Sequence, residues 1–353
     1  MSLLSHSVPA TRSERGHHAD MRSLLPLLLI PLLGCPAGPP CEDEACLVSE
    51  GLSEGLLSVR VGPAGDVWVA GADGGSGPTL ATWDAMHWTF IDTAAMAGQE
   101  LWWVHPLDEL VVAVGSGGLI VEIDRASATA TRIDGPSEDI TFFGVWGDTS
   151  DDLWAVGGAV GGGMTPRIWR RDGTGTWSRY IDPTLGEGVE GEIYFKVNGT
   201  AGDDLWIVGN RGIALHWDGA SLTATDTGSE TSQLLSVDVI DGDPVAAGGS
   251  GAAMILRWDG SAWQDESPEF EPAMNGVCAG GGRGYAVGAQ GSIDRWVDGA
   301  WETSLDALTL LDYHSCVVDA DGGFWAVGGS IASRPLDQGL LVYQGSDEPD
   351  PLR

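Results

Sequence analysis

The stretch "DDLWAVGG", residues 151–158, is written again as "DDLWIVGN" at 203–210 and as "GGFWAVGG" at 322–329. Self-similarity with a period of roughly 20–50 residues marks repeat architectures, so the period has to be measured before any local element is read. Anchored on the glycine that ends the phrase, the repeat falls at Gly71, Gly115, Gly157, Gly209, Gly248, Gly288 and Gly328, at intervals of 44, 42, 52, 39, 40 and 40 residues. Three residues before each anchor stands Trp68, Val112, Trp154, Trp206, Val245, Tyr285 or Trp325, and the two positions between hold only Val, Ala or Ile. The chain carries seven units of one design.

Each unit reads as four short strands, because runs of β-branched and aromatic residues are separated by Gly and Asp turns. The first strand is of the type "LLSVRV" (56–61), echoed by "FFGVWG" (142–147), "YFKVNG" (194–199), "LLSVDV" (234–239) and "HSCVVD" (314–319). The anchor phrase is the second. The third ends near a Trp-Asp step, as in "TLATWD" (79–84), "IALHWDG" (213–219) and "MILRWDG" (254–260), and the fourth is short and polar, as in "HWTFID" (87–92) and "AWQDES" (262–267). Seven such units predict an all-β protein, a seven-bladed β-propeller of four-stranded antiparallel blades. The Trp ring is expected to wedge between neighbouring sheets and the Gly to permit a tight turn or a close backbone approach. The last unit offers only "HSCVVD", "GFWAVG" and "LLVYQG". An open edge would be left, so a strand near "ACLVSEG" (45–51) is predicted to complete the seventh blade.

Composition agrees and excludes one partner class. Of 353 residues 53 are Gly and 16 are Trp, which fits a turn-rich folded chain. Fifty-one acidic residues face 17 basic ones, for a formal charge of −34, and Lys196 is the sole lysine. A surface of that sign repels nucleic acid, whose binding depends on Lys and Arg neutralising phosphates.

The segment "MRSLLPLLLIPLLGC", Met21 to Cys35, has one positive charge followed by a short apolar run, the layout of an export signal and too short to cross a bilayer. Its end, Leu32-Leu33-Gly34-Cys35, resembles the bacterial lipobox. That resemblance implies that residues 1–34 comprise an upstream extension and a signal peptide starting at Met21, and that Cys35 carries lipid. Residues 35–50 would then be tether and closing strand, 51–346 the propeller and 347–353 a polar tail. The expected address is the bacterial cell envelope, and Pro36, where inner-membrane retention uses Asp, leans towards the outer membrane. With Cys35 acylated, Cys41, Cys46, Cys278 and Cys316 remain, an even number in an oxidising compartment. Cys41 and Cys46 can close a small loop. Cys316 falls in the first-strand Val column of Val59, Val145, Val197, Val237 and Val277, and Cys278 falls one position after it. Neighbouring positions on a strand face opposite ways and adjacent blades oppose unlike faces, so a bond between blades 6 and 7 is geometrically possible. Free buried thiols are the alternative.

The strings "DDLWAVGG…RIWRRDGTGTW" (151–177) and "GDDLWIVGNRGIALHWDG" (202–219) resemble the Trp-rich repeats of bacterial exported propeller lipoproteins, near BNR and Kelch-like repeat proteins, over about residues 52–345. The strict WD40 signature and the full sialidase Asp-box are not met. The resemblance implies a secreted propeller, and fold is a poor guide to activity.

Loops from the second to the third strand, and from one blade to the next, emerge on one face, and length varies most there. The expected binding rim is therefore "GAVGGGMTPR" (158–167), "IDPTLGEGVEGE" (181–192) and "SIASRPLDQG" (330–339). Arg167, Arg211 and Arg334 are candidates to clamp a carboxylate or sulfate. Asp182, Glu187, Glu190 and Glu192 are candidates to hold Ca²⁺, a hard cation that favours carboxylate oxygens. "DADGG" (319–323) and "DGD" (241–243) are weaker versions, with turn-forming Asp as the default. No catalytic residue is assigned. His87, His105, His216 and His314 show no metal-ligand spacing, and no nucleophile elbow or phosphate loop occurs. The expectation is a non-catalytic, membrane-anchored protein binding an extracellular protein or glycan. The alternatives are a degenerate sialidase-like glycan hydrolase and a structural envelope component.

Overall fold

In the computed structural model the described residues are 41, 44–133, 135, 140–159, 166–182, 185, 193–303 and 307–353, all within the compact unit 39–353. They form seven sheets of four antiparallel strands each. Blade 1 is Leu56–Val61, Val67–Asp73, Pro78–Trp83 and Trp88–Phe90, and blades 2 to 6 follow in chain order to Ala300–Thr303. Blade 7 takes Asp312–Val318, Phe324–Ser330 and Asp337–Gln344 from the end of the chain and Cys46–Leu52 from near its start. Cys46 pairs with Tyr343 and Leu47 with Val342, so the predicted closing strand is present. Among the described residues no helix is long and apolar enough to cross a membrane.

The core lies between blades rather than at the axis. Seven hydrophobic clusters fill the seven gaps, each drawing residues from the two flanking sheets. This explains the second strands, which read as continuous apolar runs because both their faces are covered; "VWVAGAD" of blade 1 is buried through Ala72. The Trp column wedges as expected. Trp154 of blade 3 lies 5.1 Å from the Trp217 ring of blade 4, and Trp206 lies 5.2 Å from Trp263 of blade 5. Where the column is Tyr285, it stacks on Phe324 of blade 7 at 4.1 Å.

The anchor glycines act by close approach. Gly115, Gly209 and Gly288 have extended φ of −168°, −168° and −161°, open to any residue. At all seven anchors, however, an added Cβ would collide with the carbonyl oxygen of the residue just before, or at the start of, the first strand: Gly55, Glu100, Thr141, Ile193, Gln233, Ala273 and Asp312. In blades 1, 2, 4, 5 and 6 that carbonyl accepts from the amide after the anchor, as in Ala72 N to Gly55 O at 2.9 Å and Asn210 N to Ile193 O at 2.8 Å. One residue of the first strand is squeezed out of register directly beside each contact, giving the same β-bulge seven times.

Two disulfides close the ring further. Cys278 and Cys316 join blades 6 and 7 with Cα atoms 5.7 Å apart, and Cys41 and Cys46 join with Cα atoms 5.3 Å apart. Residues 347–353, polar in composition and mostly exposed, are pinned at Pro349 and Leu352. Leu352 is buried in the gap between blades 7 and 1, its amide donates to Ser49 Oγ at 2.8 Å, and Trp88 Nε1 donates to Asp350 O at 2.7 Å.

Gly157→Ala is expected to lower stability in urea unfolding by about 2–4 kcal/mol, whereas Gly173→Ala in the same blade, where the new Cβ meets only ordinary contacts, stays within about 0.5 kcal/mol. Opening the Cys278–Cys316 bond by replacing both residues with Ala should cost about 3–4 kcal/mol for its 38-residue loop, read as a lower thermal midpoint under non-reducing conditions.

Candidate functional site

The repeated bulge places one residue of every innermost strand at the same level: Leu57, Trp102, Phe143, Phe195, Leu235, Asn275 and His314. Four rings from this column meet. His314 of blade 7 lies 5.5 Å from Trp102 of blade 2, Trp102 lies 5.2 Å edge-on from Phe143, and Phe143 lies 5.4 Å edge-on from Phe195 of blade 4. Contact between non-neighbouring blades means that these side chains converge on the ring axis and stopper the channel. His314 Nδ1–H donates to Leu57 O, and Asn275 Nδ2 donates to Tyr313 O at 2.7 Å.

Deeper in the channel lies a charged layer. Lys196 is 3% exposed, its Nζ sits 3.0 Å from the centre of the Trp103 indole, and it donates to Phe143 O at 3.3 Å. Arg60 lies over the same indole at 5.6 Å. Asp238 accepts from the amides of Val239 (2.8 Å) and Ala279 (3.1 Å) and from Asn198 Nδ2 (2.9 Å). His105 Nε2 meets Gly147 O at 2.7 Å, and its Nδ1 is buried without a partner.

Burial dominates the titration of this layer, because low-dielectric surroundings disfavour the charged form. It pushes Lys196 well below the ordinary ammonium range, with Arg60 adding to the effect. It lowers Arg60, opposed by Asp238, and raises Asp238, opposed by Arg60 and by three hydrogen bonds. His105 falls to about 4 through burial and then Arg60. His314 falls to about 3 through burial and then Lys196.

The rim behaves differently from the channel. Arg334, on the blade 7 loop, forms a two-pronged ion pair with Glu100 at the start of blade 2, its Nη2 2.9 Å from Oε2. The same loop packs Ile331 and Leu336 with Leu57, Ala72 and Trp102, and Leu336 O accepts from Gly55 N at 3.0 Å, so it straps across blade 1 beside the stoppered mouth. Arg334, Glu100, Gln99, Ser116 and Arg132 line a groove of about 550 Å³.

The other predicted rim residues are not gathered there. Arg211 occupies the middle of a tight turn in blade 4 with φ 54°, three blades round the ring from Arg334. Asp182 is 9% exposed and structural, accepting from Leu222 N at 2.9 Å and Tyr180 OH at 3.2 Å. The Arg167 side chain, Glu187, Glu190, Glu192 and Cys35 lie outside the described residues. In "DADGG" Asp319 bonds the amides of Asp321 and Gly323 and the indole of Trp325, and in "DGD" Asp241 bonds the indole of Trp296. Both are turn-forming.

Sequence reading missed the channel residues. Their signal is nonetheless present: in the first-strand column where five other blades carry Ser or Gly and blade 2 carries Trp103, blade 4 carries the sole lysine, and the column two places later holds Arg60, His105, Asn198 and Asp238.

No family model matches the chain, and no curated protein matches it. Solved structures share its ring. The RRP9 WD40 repeats align with a TM-score of 0.64 and 10% identity over 86% of this chain and 98% of theirs. U3-55K aligns with 0.64 and 11% over 87% and 100%. The extracellular domain of a putative hybrid two component system from B. thetaiotaomicron aligns with 0.62 and 11% over 84% and 39%. At these identities the likeness is one of fold: the chain is a seven-bladed β-propeller.

His105 and His314 should show no protonation by NMR between pH 8 and 5. Their folded values lie below the unfolded value, so the stability they contribute is complete above about pH 6.5 and is lost as pH falls towards about 4 and 3. Replacing His105 by Gln should therefore flatten the fall in unfolding free energy between about pH 6.5 and 4 by about 1 kcal/mol per pH unit.

Proposed function

We propose that this protein is a non-catalytic propeller, lipid-anchored through Cys35 in the bacterial envelope, that binds an extracellular ligand or protein partner through the face carrying the second-to-third-strand loops. One observation carries this reading: the Arg334–Glu100 strap gives that face a formed groove beside the aromatic stopper of the channel. Glu100 is buried, whereas the side chain of Arg334 is 67% exposed. The pair thus holds the loop in place while leaving guanidinium N–H groups turned outward. With Arg132 alongside, held by Gln99 Oε1 at 2.5 Å, the groove offers two fork-shaped donors on a molecule that is otherwise strongly acidic. Such donors suit a carboxylate- or sulfate-bearing group, so an acidic glycan or the acidic segment of a protein is the ligand class the groove favours.

Two measurements test the two halves of the reading. Intact mass of the protein from its native membrane is expected to show a diacyl or triacyl chain beginning at Cys35, lost on Cys35→Ser; an unlipidated chain starting elsewhere removes the anchor. Titration with acidic and neutral oligosaccharides is expected to show binding of the acidic set only, weakened about tenfold by Arg132→Ala through loss of a charge-assisted contact. Equal binding of both sets, or release of sugar from the oligosaccharide, overturns the groove as a non-catalytic acid-recognition site.

A further inference from the structure

With Lys196 protonated, the charged layer of the channel is not electrically balanced. Arg60 and Lys196 face a single carboxylate, Asp238, and both nearby histidines are held neutral by burial. Asp238 already accepts three hydrogen bonds, none of them from Arg60 or Lys196. An uncompensated buried charge is expensive, and proteins relieve it by pairing, by metal or ion binding, or by loss of a proton.

Between these groups lies a cavity of about 10 Å³, lined by Arg60, Trp103, Lys196, Asn198 and Ser236 among others. That is room for one water-sized particle. Its polar lining is under-used. Among the described residues the Arg60 guanidinium, with five N–H groups, makes no hydrogen bond, and neither does the Ser236 hydroxyl. The equivalent serines of two other blades are committed, Ser58 Oγ accepting from Val104 N at 3.2 Å and Ser315 Oγ from Val59 N at 3.5 Å. Lys196 spends one N–H on Phe143 O and rests on the Trp103 face.

We propose that this cavity binds one small monovalent anion, a halide in the first instance, held between the Arg60 guanidinium and the Lys196 ammonium with the Ser236 hydroxyl donating a further hydrogen bond. The anion supplies negative charge beside buried Lys196 and half-buried Arg60, and accepts from donors that make no hydrogen bond to a described residue. It also keeps Lys196 charged against the pull of burial. A divalent oxyanion such as sulfate is excluded by size, and the aromatic stopper above prevents entry from the loop face, so exchange takes place from the opposite mouth. The site is independent of the groove, and neither reading falls with the other.

The test uses the mature protein with bromide as probe. Crystals grown in sodium bromide should show an anomalous peak between Arg60 and Lys196, absent when the salt is sodium sulfate of equal ionic strength. In solution, bromide should quench tryptophan fluorescence saturably through Trp103, whereas collisional quenching is linear. Lys196→Met should weaken the saturable phase about tenfold or more, and the milder Ser236→Ala, which leaves the fold intact, by about two- to tenfold, as expected for loss of a charged and of a neutral partner. A cavity holding only water in bromide, a peak elsewhere in the channel, or linear quenching unchanged by Ser236→Ala overturns the proposal.

Discussion

Everything in this ring depends on seven places where a backbone carbonyl presses against a glycine. At each anchor the space a Cβ would occupy is filled by the oxygen of the residue leading into the innermost strand. Because no side chain keeps the strands apart, the carbonyl reaches the amide after the anchor in blades 1, 2, 4, 5 and 6, and in every blade the innermost strand gains one residue relative to its partner. A bulge adds local twist and redirects a side chain. Repeated around the ring, it turns Trp102, Phe143, Phe195 and His314 to the axis and so produces the stopper from a backbone constraint.

The blades are held together by the gaps between them. Burying a large aromatic ring contributes about 1.5–3 kcal/mol relative to exposure, and the Trp column delivers most of that burial to the gap with the following blade. A ring built this way is only as good as its last joint. Here the joint is over-determined: the Cys46–Leu52 strand pairs with Asp337–Gln344, Leu352 is inserted into the gap between blades 7 and 1, and the Cys278–Cys316 bond pins blade 7 to blade 6. Polar outer strands such as Thr129–Ile133 leave the rim edges charged and short, which discourages pairing between molecules.

Charge is partitioned in an unusual way. The chain is at −34, yet its sole lysine and Arg60 are inside the channel while carboxylates dominate the outside. Other arginines serve as mortar: Arg125 pairs with Asp66 of blade 1 at 2.8 Å, Arg171 with Glu122 of blade 2 at 2.8 Å, and Arg170 with Asp152 beneath the Trp154 ring. Among the described residues these cations sit at joints, at the groove and at the axis, while Arg179, Arg295 and Arg353 are exposed.

The number of blades and the closing strand were legible in the residues because they follow from repetition, whereas the choice of close approach for the glycine and of a bond over free thiols for Cys278 and Cys316, both open in the sequence, was made by the structure. Cys316 in the Val column and Cys278 one place later could be read as facing each other without knowing any coordinate of the ring. The candidate site was not legible in the same way. The rim arginines are read from corresponding loops, and among the described side chains Arg334 is the one that reaches Glu100, across 234 residues and a whole blade. Arg60, His105, Lys196, Asp238 and His314 come from five different units and meet only because closing the ring brings every innermost strand to one axis. Local periodicity determines which face of its own blade a residue lies on; which residues of other blades it meets is settled by the curvature that seven packed gaps impose.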